Sequence, residues 1–466
     1  MRGPIKKAAW FVAGDVGTRA VGFLVTVYLA RTLGIEFFGV ISVGIAVLGY
    51  LAQFSGSGIQ LIEARNVASR QGADPGRIGD VLSLRLAISI VLIASVGAIT
   101  YSLFTAIETA DSISLHALVL IPLAINLDWF FQGKEQFGTL SSSKILGAIV
   151  YGLVVFLTIS GPADFRYAPA ALGLGGVASA VFLLVLFQSR FGNLIARPKP
   201  GNWPRLLREH VPVSFAMLLA QNAVNLGPIV LGALYGSGDA GLYSVGMKMI
   251  VTLLLLDRTF NGVYLPMASR IAATRPEEMS RILTISLKIA IIVTFPLALC
   301  FFAGANQIID LIFGPGYDGA GHHFSILLVY LVATIPNSIC GCSLIASGRE
   351  AEYTKNLAIG SAVLGILVVV GAVVFGPLGA AGGVALGEWV MFGMFFRVVR
   401  KTTSVQVSSI LRPMIAVSVM ACSTALLIES NLVTTLGISL LAFVVTLFAT
   451  RGLDQEEIIM LKERLA

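Results

Sequence analysis

The chain has 466 residues, 56% of them hydrophobic and only 12% charged, with a formal net charge of +7 and a mean hydropathy of +0.88. An ordinary soluble domain charges about 25% of its residues, so a water-soluble fold is excluded. The basic residues lie in short loops between apolar segments, a pattern that sets membrane orientation and excludes nucleic acid as a partner.

Lipid gives backbone N–H and C=O groups no partners, so the spanning segments must be helices. Cutting at polar and Gly/Pro breaks leaves about fourteen segments long enough to cross a bilayer, and the fold class is an all-α membrane protein. They start near Ala9, Phe38, Gly79, Ile113, Leu140, Ala168, Val211, Gly241, Ile282, His323, Asn356, Pro377, Ser408 and Leu432. The first is too long for a cleaved signal peptide and has no small-residue cleavage site after it; it reads as a retained helix. The segment from Ile113 is the weakest, because Asn126 and Asp128 interrupt it.

With Arg2, Lys6 and Lys7 inside, every second loop is basic, as the positive-inside rule requires. Those loops carry Arg65, Arg70 and Arg77, then Lys134 and Lys144, then Arg190 to Arg208, Arg270 to Arg281, Arg349 and Lys355, and Arg397 to Arg412. The opposite loops hold Arg31 and Arg166 beside Glu108, Asp111 and Asp318. The bias implies an even number of spans in the cytoplasmic (inner) membrane, with both termini cytoplasmic.

The longest connection, Gln188 to His210, is basic and contains Pro198, Pro200 and Pro204. Across it the chain repeats. LARTLGIEFFGVISVG (Leu29–Gly44) matches LGALYGSGDAGLYSVG (Leu231–Gly246), with Gly34 on Gly236 and Gly39 on Gly241. ALGLGGVASA (Ala171–Ala180) echoes PLGAAGGVAL (Pro377–Leu386). The expected organisation is two parallel six-helix lobes, 1–187 and 211–404, joined by a linker over 188–210 and followed by two extra helices and a tail over 405–466. Parallel repeats place substrate sites between halves near the midplane.

Catalytic chemistry has no visible home. The loops are short and hold no Walker motif, no paired carboxylates and no His cluster beyond His322-His323. Cys300, Cys340, Cys342 and Cys422 have no zinc spacing and read as small packing residues. The expectation is therefore no enzyme, no metal and no cofactor.

Four segments carry a family likeness. YLARTLGIEFFGVISV, DWFFQGKEQF (Asp128–Phe137), GLYSVGMKMI and DLIFGPGYDGAG (Asp310–Gly321) resemble the polysaccharide flippases of the multidrug/oligosaccharidyl-lipid/polysaccharide exporter superfamily. The Wzx-type O-antigen and exopolysaccharide flippases are the most similar group. The likeness covers essentially the whole chain. It implies two six-helix lobes around a central cavity and movement of a polyprenyl-pyrophosphate-linked oligosaccharide between leaflets. It also implies membrane lipid and a glycan polymerase complex as candidate partners.

Ionisable residues within spans usually face a cavity. Arg19 lies near the middle of the first span, roughly 15 Å from either face. Asp15 sits one turn earlier on the same face, as partner or as neighbour. Lys248 and Arg258 are ten residues apart in the eighth segment, about 15 Å along the axis. Together these cations form a candidate ladder for a pyrophosphate, which Arg can bind bidentately. Arg85 and Lys288 lie near cytoplasmic ends and are expected to snorkel to water. Asp128, Gln132, Asn222 and Asn225 are candidates for a sugar path, the asparagines equally for interhelical hydrogen bonds. Asp15, Asp128, Asp257 and Glu388 are candidates for ion coupling. Gly227-Pro228, Pro266, Pro296 and Pro336 offer hinge points.

Three rivals remain open. A multidrug or cation antiporter of the same superfamily would carry acidic central charges for cationic cargo, whereas these are mainly basic. A membrane enzyme of cell-envelope glycan assembly would need a catalytic loop. A scaffold for a glycan assembly complex would tolerate loss of Arg19. The topology is testable directly: reporter fusions at Gly201 and Asp111 should report opposite sides of the membrane, and the same side for both contradicts it.

Overall fold

Helices form wherever the apolar runs demand internally satisfied backbone; breaks fall at Gly34, Asn126 and Gly376, among other places, whereas Pro266, Pro296 and Pro336 sit inside continuous helices. The computed structural model describes residues 2–69, 75–104, 106–192, 198–427, 431–450 and 452, without the side chains of 2–13, 15, 57, 212, 213, 216 and 220. In chain order the helices are α1 (Arg2–Ala52), α2 (Gly58–Ser69), α3 (Pro75–Leu103), α4 (Ile107–Ala117), α5 (Leu120–Ile125) and α6 (Asp128–Gly133). Then come α7 (Phe137–Thr158), α8 (Tyr167–Phe191), α9 (Trp203–Ala220), α10 (Gly227–Leu234), α11 (Ser237–Leu253) and α12 (Leu255–Thr274). The last are α13 (Met279–Ala303), α14 (Ala305–Phe313), α15 (Ala320–Ala346), α16 (Glu350–Thr402), α17 (Val407–Leu426) and α18 (Leu432–Ala449). No strand occurs among the described residues.

Twelve described segments are helical, long and apolar enough to cross a membrane. That count differs from the about fourteen that span length suggests. Two helices are broken by a glycine with left-handed backbone: α1 at Gly34 (φ 71°) and α16 at Gly376 (φ 71°). Each broken helix covers two of the segments read from the sequence.

Contacts divide the chain into two compact units, Met1–Ser244 and Val245–Ala466. In the first, Ile59, Val81, Trp129, Phe130, Phe131, Leu183 and Phe187 form the main core. In the second, Tyr264, Leu283, Ile339, Cys340 and Phe395 do so. The C-terminal helices α17 and α18 pack on α13 of that unit through Ala416, Val417, Met420 and Phe443. Large apolar side chains such as Phe375 and Phe448 stay about three-quarters exposed (76% and 77%), as suits surfaces bathed in lipid.

The internal repeat is visible in the packing. Gly34 and Gly236, aligned by sequence, both adopt positive φ (71° and 101°), a region that favours glycine. Their partners Gly39 and Gly241 meet within the first unit. A methyl on Gly39 would lie 1.7 Å from the Ser237 carbonyl oxygen, and one on Gly241 would lie 2.4 Å from that of Ile35. The second echo also marks close approach. Gly175 abuts the Gly147 carbonyl between α7 and α8, and Gly379 abuts that of Gly371 between the two arms of α16. Small residues let helix backbones touch, and dispersion then substitutes for the hydrophobic effect that lipid cannot supply.

These contacts give a test. Gly39→Ala should destabilise the protein by about 1–3 kcal/mol through overpacking, seen as a lower thermal midpoint in detergent. Gly393→Ala, where a methyl meets nothing within 4 Å, should not. Equal midpoints would remove the turn contact as a structural element.

Candidate functional site

The three cations of the expected ladder lie in different surroundings. Arg19 is half-buried in α1, in the first unit. The Asp15 side chain, its candidate partner, lies outside the described residues. In the second unit Lys248 is half-buried on α11 and Arg258 is exposed on α12. A turn at Leu254 separates these two helices, so the eighth segment is not one straight rod.

Of the two asparagines, Asn222 bonds across helices and Asn225 within its own segment. Tyr50 on α1 donates from its hydroxyl to Asn222 Oδ1 at 2.7 Å, and Asn225 Nδ2 donates to Gln221 Oε1 at 2.8 Å. Both asparagines belong to a wide π-helical turn, Asn222–Leu226, ahead of α10. Gln132 is exposed.

Asn126 and Asp128 do break a helix, and the structure shows how the break is satisfied. Asn126 is extended (ψ 134°). Its Oδ1 accepts the Asp128 N–H at 2.8 Å, which restarts the helix as α6. The carbonyls freed by the break accept from Arg85: Nη1 reaches Asn126 O at 3.1 Å and Nη2 reaches Leu123 O at 2.6 Å. Arg85 is 1% exposed, so the expectation that it snorkels is wrong. Its guanidinium is held inside by carbonyls that have no other donor in lipid. Asp128 lies within electrostatic reach of Arg85 and Lys144, and its Oδ1 is buried without a hydrogen bond. Lys288 does not snorkel either: it is fully buried, because α15, α17 and α18 enclose α13.

Of the four candidate coupling carboxylates, two converge. Asp257 on α12 and Glu388 on α16 lie within electrostatic reach of each other. Asn337 on α15 donates Nδ2 to Glu388 Oε1 at 2.7 Å. Ser338 donates to Asp257 Oδ2 at 3.4 Å and accepts from Asn261 Nδ2, while Cys342 donates to Asn261 Oδ1 at 3.5 Å. Asp257 Oδ1 and Asn337 Oδ1 are buried with no hydrogen-bond partner. The cluster thus joins two carboxylates to amide and hydroxyl donors, with the Arg258 guanidinium within electrostatic reach of Asp257. No spacing rule would have found it, because Asp257, Asn337 and Glu388 are far apart in sequence.

A second polar cluster, missed by the sequence reading, lies between spans. Glu63 on α2 is 1% exposed and His210 on α9 is 2% exposed. Arg77 grips Glu63 with Nε at 2.8 Å and Nη2 at 2.6 Å. Burial pushes the Glu63 carboxyl up, but hydrogen bonds and charge from Arg77 and His210 outweigh it and hold the group at about 2. A depressed carboxylate stabilises above its ordinary value and loses that contribution only as pH falls through the depressed one. The Glu63 carboxylate therefore stays charged through the physiological range.

Comparison with known proteins places this geometry. A family model described as polysaccharide biosynthesis protein matches residues 5–272. A protein of Escherichia coli (strain K12) named as an O-antigen transporter is 22% identical over 365 residues, covering 73% of this chain and 83% of that protein. One of the same name from Shigella flexneri is 22% identical over 367 residues, covering 72% and 82%. Among solved structures, the lipid II flippase MurJ in an inward closed conformation matches with a TM-score of 0.76 at 14% identity, over 95% of this chain and 98% of that one. An inward-facing MATE-family multidrug resistance transporter of the MOP superfamily matches with 0.66 at 16% identity, over 83% and 94%. The likeness to these structures establishes the fold.

The Arg85 arrangement yields a prediction. Arg85→Met should cost about 1–3 kcal/mol for each carbonyl left without a donor, read as a lower thermal midpoint and reduced accumulation. A variant as stable as the parent would show that the broken helix does not depend on Arg85.

Proposed function

Because the chain belongs to the polysaccharide biosynthesis protein family, whose model matches residues 5–272, we propose that it is a flippase. It moves a polyprenyl-pyrophosphate-linked oligosaccharide across the cytoplasmic membrane for surface polysaccharide assembly. The observation that carries this reading is the family match, supported by two relatives named as O-antigen transporters along more than 70% of the chain. The likeness to a lipid II flippase supports a fold able to do this work.

Arg19, Lys248 and Arg258 bind the pyrophosphate, because a dianion leaving water needs compensating cations and guanidinium can fork onto phosphate oxygens. Asp128, Gln132, Asn222 and Asn225 face the sugars. The prenyl tail stays in lipid. Alternating access exposes the head group first to one side and then to the other. Asp257 and Glu388, bridged by the amides and hydroxyls around them, carry the coupling proton or sodium ion.

The protein works as a transporter and not as an enzyme, in the inner membrane with both termini cytoplasmic. Its functional lobes are 1–187 and 211–404, with the linker 188–210 between them and 405–466 appended. A glycan polymerase complex receives the product. The rival reading, a cation antiporter, has the likeness to MATE-family transporters behind it. The basic sign of the mid-span charges speaks against cationic cargo.

The test centres on Arg19. Arg19→Ala should abolish glycan export in a strain lacking the native protein, with normal insertion. Arg19→Lys should keep partial export at best, since a point charge loses the fork. If Arg19 only neutralises Asp15, the double variant Asp15→Asn with Arg19→Gln should recover export, because neutral replacement of a buried pair often breaks even. If Arg19 holds pyrophosphate, the double variant stays inactive. Full export by the double variant removes the binding role.

A further inference from the structure

We infer that Glu63, Arg77 and His210 form a reversible latch that holds the cytoplasmic end of α9 against α2 and α3, and that parts during transport. The clause on transport rests on the flippase reading and the cytoplasmic placement on the loop-charge topology; the contact itself rests on geometry alone.

The joint is built from three helices. Glu63 on α2 accepts four hydrogen bonds. Two come from Arg77 on α3, one from Asn66 Nδ2 at 3.1 Å and one from His210 Nε2 on α9 at 3.2 Å. Arg77 also reaches Glu209 of α9 at 3.2 Å, which in turn meets Arg205 at 3.1 Å. His210 Nδ1 bonds the Leu206 carbonyl oxygen. A carbonyl can only accept, so Nδ1 carries the hydrogen shared with Leu206, and Nε2 lies against Glu63 Oε1, roles assigned from the hydrogen-bond network.

The chain leading into α9 is held in the same place. Asp80 of α3 accepts the Lys199 N–H and Asn202 Nδ2, both at 2.6 Å. Trp203 Nε1 donates to Ser83 at 3.3 Å. Leu206 is 4% exposed and packs in the core with Ile59 and Val81. One turn deeper, a methyl on Gly58 would lie 2.1 Å from Ser214 Oγ, so α2 and α9 approach closely there.

The chemistry argues for a joint that opens. A permanently buried contact is served as well or better by apolar side chains of similar volume. Charged groups suit a surface that is dry in one state and wet in another, because water can take over their hydrogen bonds when the helices part.

The experiment uses the full chain with Cys300, Cys340, Cys342 and Cys422 changed to serine and Leu206→Cys introduced, in inside-out membrane vesicles without substrate. A maleimide reads exposure of the α9 face. Labelling should be slow when Glu63 is present and about tenfold or more faster in Glu63→Gln, the effect of losing charge-assisted hydrogen bonds. Should Glu63→Gln fail to accumulate, Arg77→Lys in the same assay should also label faster, and the swap Glu63→Arg with Arg77→Glu should restore protection. Labelling at the parent rate in these single variants would overturn the latch.

Release is read separately. A bifunctional methanethiosulfonate across Glu63→Cys and His210→Cys should stop surface glycan export by spheroplasts, and reduction should restore it. Export unaffected by the cross-link would overturn the reversible role. Absence of export from the parent itself would instead count against the flippase reading and leave the labelling result standing.

Discussion

Everything in this molecule follows from the cost of leaving a backbone hydrogen bond unmade in lipid. Helices satisfy their own interiors, so the problem concentrates where they break. At the Asn126 break the solution is Arg85, drawn fully into the first unit to donate to Leu123 and Asn126. At Gly34 and Gly376 the chain turns through positive φ, which glycine adopts without strain. A charge that looks like an orientation signal in the sequence is thus part of the backbone's hydrogen-bond accounting.

Close backbone approach is the second consequence. Lipid tails are as apolar as leucine, so helices gain little from hiding apolar faces from lipid. Glycine pairs at Gly39/Gly241, Gly147/Gly175 and Gly371/Gly379 supply contact instead. Gly39 and Gly241, aligned by the repeat, meet each other, and Gly175 and Gly379 both lie within the second pair of echoing segments. Polar groups inside each unit then occur in sets, as at Asp257, Asn261, Asn337, Ser338 and Glu388, where each helix alone would present an unsatisfied group.

Much of the architecture was legible in the sequence, because span length, loop charge and glycine position are local properties. The apolar segments, the interruption at Asn126 and the matched turns at Gly34 and Gly236 all read directly from residue type and spacing. The candidate site was legible only in part. Asp257 and Glu388 were recognisable as membrane carboxylates, but their convergence depends on how α12, α15 and α16 pack. Arg85 and Lys288 were misread because distance from a span end says nothing about which way a long side chain turns. Glu63 and His210 lay in loops read only for net charge, so their burial left no mark in composition. The proposal that Arg19, Lys248 and Arg258 hold the pyrophosphate rests on their sign, their depth in the sequence and the family likeness.

The most direct measurement is transbilayer movement by the purified protein in proteoliposomes. A polyprenyl-pyrophosphate-linked oligosaccharide would be placed in both leaflets, and the fraction reached by an external glycosidase followed over time. Protein-dependent growth of the accessible fraction beyond the outer-leaflet share, lost in Arg19→Ala, is the expected result. An accessible fraction no greater than in protein-free vesicles, from a protein that instead exchanges a cationic drug for an ion, would contradict the flippase assignment.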